Sequence, residues 1–105
     1  MAAKTRKQQI EEMLAEAPDD PELRYALAME YAGSGDHTNA ARIFQNLATS
    51  VPDYVPCYYH LAQTLVRLGQ TDEARSVIES GIKVAQKKGD FHAAGELEGL
   101  LYTLE

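Results

Sequence analysis

One cysteine, Cys57, is too few for an internal disulfide, so nothing in the chain calls for an oxidising compartment. No apolar run approaches the roughly 18 residues of a membrane span. The basic start, Met1 to Lys7, lacks the apolar stretch that a signal peptide carries after its charges. The cytoplasm, with no membrane partner, is the resulting expectation. An excess of positive charge is missing too. Ten Lys and Arg face sixteen Asp and Glu, and the net charge of −6 works against binding nucleic acid through its phosphates. No stretch alternates apolar and polar residues with β-branched enrichment, so no sheet is expected. There is no low-complexity segment and no Gly/Ser linker; four prolines and seven glycines are spaced as punctuation. No Gly-rich phosphate loop, hydrolase elbow or paired-carboxylate motif is present.

What remains is ordinary globular material. The 105 residues suit one domain with a modest core, and 45% hydrophobic against 25% charged argues against disorder. The stretch Asp53–Gly69 stands out because it reads as one helix with two working faces. Tyr58, Leu61, Ala62 and Leu65 fall at i, i+3, i+4, i+7, the spacing of a packing face. Tyr59, Gln63 and Val66 repeat that spacing about 100° further round, and a purely solvated face would not carry them.

The same helix is written twice. Leu27 and Leu61 are 34 residues apart, as are Ala28 and Ala62, Gly35 and Gly69, Ala40 and Ala74, and Pro18 and Pro52. Ile10, Phe44 and Ile78 keep the period three times. Such self-similarity marks stacked units, none of which buries its apolar face alone.

Six helices follow from periodicity and punctuation. Helix one runs from about Thr5 to Ala17, with Ile10, Met13, Leu14 and Ala17 as its apolar stripe and Pro18 as its stop. Asp19 or Asp20 caps helix two, with Pro21 in the first turn and Glu22 completing a capping arrangement. Helix two reaches about Ala32, packing through Arg24, Leu27, Ala28 and Tyr31, and the turn Gly33-Ser34-Gly35-Asp36 ends it. Helix three, about Thr38 to Thr49, packs through Ala40, Ala41, Ile43, Phe44, Leu47 and Ala48. Helix four has Pro56 in its first turn and Gly69 at its end. Helix five starts at Thr71 or Asp72 and runs to about Lys87, packed through Ala74, Val77, Ile78 and Ile82. Helix six, Phe91 to about Leu104, carries Phe91, Ala94, Leu97, Leu101 and Leu104 on one side. Ala28, Ala62, Ala40 and Ala74 sit mid-face, where a methyl group lets two axes approach closely. A leucine at Ala62 would force the pair apart, at roughly 1–3 kcal/mol or more.

These residues together resemble the tetratricopeptide repeat family. The 34-residue period, Leu-Ala followed by Tyr or Leu, Gly at the turn, Ala then Phe or Ile in the second helix, and a closing Pro carry the resemblance. The departures are Arg24 where the first aromatic of the unit is usual, Gln86 for the closing proline, and Gly81 for a usual alanine. In helix six, Gly95 and Glu96 stand where Leu and Ala would be. The implied fold is all-α, a TPR-like right-handed superhelix of about six antiparallel helices in a single domain. Residues 5–17 would form a half repeat, 21–54 and 55–88 whole repeats, and 90–104 a capping helix.

The resemblance also implies a function: the first helices of the repeats line a concave groove that holds an extended or helical peptide from a partner. Carried over, this gives Glu22, Tyr25, Met29 and Ala32 from helix two, and Tyr59, His60, Gln63, Val66 and Arg67 from helix four. Ala93 and Leu97 of helix six add to it. Members that grip a chaperone's carboxylate tail use Lys, Asn and Arg here, where this chain has Tyr25, Met29, His60, Asp90 and Ala94, so that ligand is not expected. Tyr25, Met29, Tyr59 and Val66 suit an apolar or aromatic anchor, with Gln63 and Arg67 giving direction. The plainer reading is that Tyr25 and Tyr59 shield the groove floor and Met29 belongs to the core.

Catalysis, metals and cofactors find little purchase. Cys57 and His60 lie at i, i+3, but zinc needs about four ligands and a nucleophile needs oxyanion donors, and neither is in evidence. Cys57 reads as a small apolar filler, and His37 and His92 as solvated. The acidic cluster Glu11, Glu12, Glu16, Asp19, Asp20 and Glu22 reads as a solvated face with capping, a basic partner segment being the sharper alternative. The rival to a peptide-binding module is a self-associating helical scaffold, a homodimer formed through an exposed terminal helix, or a fragment of a longer array. A monomer or weak homodimer is expected.

Overall fold

The computed structural model describes residues 3–104, and these form six helices with no strand among the described residues: α1 (Arg6–Glu16), α2 (Pro21–Gly33), α3 (His37–Ser50), α4 (Pro56–Arg67), α5 (Thr71–Lys87) and α6 (Phe91–Thr103). Each helix packs on its neighbour in sequence, and α6 also reaches α4. Local packing of this kind extends a stack instead of closing a bundle, and the extents, 49 × 28 × 20 Å, are those of an elongated body.

The turns explain the spacing. Gly35, Gly69 and Gly89 have φ of +86°, +77° and +75°, the left-handed conformation that ends a helix and that a Cβ disfavours. After each, the next residue donates its N–H back to the last helical turn: Asp36 to Tyr31 O at 2.9 Å, Gln70 to Leu65 O at 2.8 Å and Asp90 to Ala85 O at 2.8 Å. The same residue then becomes the N-cap of the following helix. Asp36 accepts from Asn39 N and Asn39 Nδ2, bonds that hold its carboxyl below the usual range, and Asp90 accepts from Ala93 N at 3.0 Å. Gln70 makes no such bond. Gln70→Asp is therefore expected to raise stability by about 1 kcal/mol, the value of a side-chain cap, read as a higher urea midpoint at unchanged slope.

At α2 the cap is Asp20, whose carboxylate accepts from the N–H groups of Glu22 and Leu23; Glu22 contributes its amide and not its side chain. The reciprocal capping box occurs instead at α1, between Thr5 and Gln8. The central helix is shorter than Asp53–Gly69, because Tyr54 N bonds Val51 O in a turn and α4 begins at Pro56.

The core runs through α2, α3, α4 and α5. Ala28, Ala40, Phe44, Leu47, Ala62, Ala74 and Ile78 are completely buried, and Tyr58, Leu61 and Leu65 nearly so. The alanines at the crossings are thus covered as the close approach of helices requires. Gly81 marks the tightest point, since a Cβ there would lie 2.7 Å from Tyr58 Cβ. Tyr58 is held by its hydroxyl, which donates to Pro52 O at 2.5 Å. At the far end Arg75 Nη2 donates to Leu104 O at 3.2 Å, a cation at the carboxyl end of α6.

Two large apolar residues assigned to packing faces are exposed. Met13 is 50% and Phe91 73% exposed. Both belong to end helices, which have a neighbour on one side only, so part of the apolar arc has nothing to press against. His37, expected in solvent, is half-buried at the start of α3; its Nδ1 is covered and has no hydrogen-bond partner among the described residues. No helix among the described residues is long and apolar enough to cross a membrane.

Candidate functional site

The second face of α4 borders two hollows. The first, about 490 Å³, lies between α2 and α4 over the start and middle of α3, and its walls include Met29, His37, Phe44, His60, Gln63 and Arg67. The second, about 310 Å³, lies between α4 and α6, with Tyr59, His60, Asp90, Ala93, Glu96 and Leu97. His60 belongs to both. The helical period produces this arrangement: His60, Gln63 and Arg67 recur at i, i+3, i+7 and turn one way, while Pro56 and Tyr59 begin the side that turns toward α6.

His60 is held in place by rings. Its imidazole stacks on Phe44 with centroids 6.1 Å apart and an interplanar angle of 19°. It meets Tyr25 at 5.6 Å and Tyr59 edge-on at 5.6 Å. Tyr25 also touches Phe44 at 5.9 Å and Tyr54 at 5.7 Å. Such tilted and offset contacts each contribute about 0.5–1.5 kcal/mol beyond the area they bury. Burial among these rings lowers the His60 pKa, opposed in part by the charge of Glu96 across the second hollow. The imidazole is therefore neutral at neutral pH, a polar atom on an otherwise aromatic ridge.

The expected groove residues divide accordingly. Met29, His60, Gln63 and Arg67 border the first hollow, Tyr59 and His60 the second. Glu22, Tyr25 and Val66 border neither. Glu22 is exposed at the amino end of α2; Tyr25 lies half-buried in the ring cluster, and Val66 is half-buried against the core. His37, Phe44, Asp90 and Glu96 join the walls from outside the expected set. Phe44 reads from its period as core, which it is; completely buried, it backs the first hollow from beneath. Asp90 and Glu96 are brought in by the docking of α6, which leaves the repeat register and gives no pattern to follow.

Cys57 is completely buried, and burial pushes its thiol up to about 12, so it stays protonated at neutral pH as a small filler in the core. Among the described residues no three His, Cys, Asp or Glu side chains converge as a metal would need.

Comparison with known proteins agrees with this architecture. The tetratricopeptide repeat family model matches residues 31–96. A TPR repeat-containing protein of Pseudomonas aeruginosa is 30% identical over 96 residues, 91% of each chain. The crystal structure of a tetratricopeptide repeat domain protein from Salinibacter ruber superimposes with a TM-score of 0.77 at 36% identity, covering 81% of this chain and 94% of that one. The solution structure of a Bordetella parapertussis protein gives 0.85 at 29% identity, covering 97% and 89%. Proteins of this fold are in general non-catalytic modules for protein interaction. With a family model matched over more than half its length and a relative aligned along nearly all of it, the chain belongs to the tetratricopeptide repeat family.

Proposed function

We propose that this protein is a non-catalytic interaction module that takes a peptide or helix of a partner protein along the surface formed by α2, α4 and α6. Residues 21–54 and 55–88 act as its two whole repeats, 5–17 as a half repeat before them and 90–104 as the cap. The observation that carries the reading is the pair of hollows meeting at His60, with exposed Gln63 and Arg67 beside the apolar Met29 and Ala32. An apolar floor with a few polar groups at its edge suits a side chain of a partner as an anchor and fixes its direction. A cytoplasmic setting belongs to the same reading.

The test uses residues at the rim, because Tyr25 is tied into the ring cluster and its removal would disturb the fold. Met29→Ala/Gln63→Ala should melt at the wild-type temperature yet retain much less of any partner captured from native lysate. Equal recovery by both proteins would remove this surface from the site. Self-association is the second reading, favoured by Phe91 and Tyr102, 73% and 80% exposed on the outer side of the end helix α6. A concentration-dependent dimer in sedimentation, abolished by Tyr102→Glu, would support it.

A further inference from the structure

The two hollows carry opposite charge. Among the described residues no Asp or Glu borders the first, although the chain as a whole has a net charge of −6; its charged group is Arg67, with His37 and His60 as further nitrogen bases. The five arginines make the point sharper. Arg6 pairs with Glu30, Arg24 with the Ser50 hydroxyl, Arg42 with Asn39, and Arg75 with Asp72 and Leu104 O. Arg67 alone has neither an ion pair nor a hydrogen bond among the described residues, and it is exposed at the end of α4. The second hollow is bordered by two carboxylates, Asp90 and Glu96, and no Lys or Arg. Asp90 uses one oxygen to cap Ala93, and Glu96 has the exposed His92 at 3.5 Å. Between the two lies the aromatic ridge of His60 and Tyr59.

We infer that the occupant of this surface is an extended polypeptide segment bearing a carboxylate that meets Arg67, an apolar residue over the His60 ridge, and a cationic side chain that meets Glu96 and Asp90. The inference rests on the proposed groove and adds the chemistry of what fills it. Spacing follows from the helix. Pro56 to Arg67 covers about 16 Å at about 1.5 Å per residue, which an extended chain spans in about five residues at about 3.3 Å each. Charges of this kind at a rim set direction and exclude wrong partners more than they hold the ligand. The arrangement admits one chain direction and disfavours its reverse.

The probes are fluorescein-labelled ten-residue synthetic peptides with a central leucine, one glutamate and one lysine about five residues apart, in both orders, beside a version with glutamine at both charged places. Binding to the full chain is followed by fluorescence anisotropy at low salt, and its location by amide chemical shifts. One order should bind about five-fold more tightly than the glutamine version, as two rim ion pairs would give, and lose that advantage at high salt. Arg67→Glu should remove the preference, and a peptide with lysine in place of its glutamate should regain the advantage over the glutamine version. Glu96→Lys should act likewise at the other end. If both orders and the glutamine version bind equally at the α4 face, the charge inference fails while the groove stands. If the shifts fall elsewhere, the groove reading itself is overturned.

Discussion

Phe44→Ala should lower stability by about 3–5 kcal/mol, the range for deleting a fully buried aromatic ring. Phe44 is completely buried in α3, and its ring touches Tyr25 on α2 and His60 on α4, so one side chain joins three consecutive helices. No neighbouring chain segment can collapse into the vacancy without separating those helices. Against a total of about 5–15 kcal/mol for a native domain, the loss is a large share, and melting should fall by well over about 10 °C. Circular dichroism through a thermal scan reads it. Phe44→Leu should fall by much less, because it keeps most of the volume. An unchanged melting curve for the alanine variant would mean that Phe44 does not join these three helices beneath the first hollow.

Gly81→Ala pits two effects against each other. Helix propensity favours alanine over glycine by about 1 kcal/mol in the interior of a helix. The new Cβ would stand 2.7 Å from Tyr58 Cβ and 3.0 Å from Tyr58 Cγ and Leu97 Cδ1. Leu97 can turn its methyl away. Tyr58 cannot, since its Cβ is fixed to the α4 backbone and its hydroxyl to Pro52 O. Overpacking of this kind costs about 1–3 kcal/mol, so the steric effect should win, with Gly81→Val worse than Gly81→Ala. Gly99→Ala is the matched control, because nothing lies within 4 Å of a Cβ there and only the propensity gain remains. Urea unfolding of the two alanine variants should move in opposite directions. A stabilised Gly81→Ala would show that α4 and α5 cross farther apart than this.

The comparison also explains a departure from the family pattern. Gly81 in place of the usual alanine is visible in the sequence, but its reason is not. In the structure Tyr58 of α4 and Leu97 of α6 take the room that a methyl group at residue 81 would need. A one-dimensional repeat shows that Gly81 is unusual without showing what stands against it.

The candidate site was legible to a similar depth. Met29, Tyr59 and Gln63 follow from the helical period, His60 and Arg67 from the family resemblance, and all five border the hollows, since a residue's angular position on a helix is fixed by its number. Tyr25 has the right angular position and still borders neither hollow. Its ring lies against Phe44, Tyr54 and His60, and a side chain of that length goes where its neighbours leave space. His37, half-buried with an unpartnered Nδ1, sits at a helix start where sequence suggests only solvent. Phe91 errs the other way, apolar by pattern and exposed because no seventh helix among the described residues covers it.

By itself, the order of residues determined that this protein is a run of paired helices with a 34-residue repeat, ended by left-handed glycines and joined by short turns. Those features are local: period, cap and turn chemistry act within a few residues along the chain. Only the packed structure decided which side chains the hollows share, that Arg67 is left without a partner among the described residues, that Asp90 and Glu96 face the second hollow, and that Tyr58 excludes a methyl group at residue 81. These depend on distances between helices remote in sequence, which are set by the volumes of all the side chains at each crossing taken together.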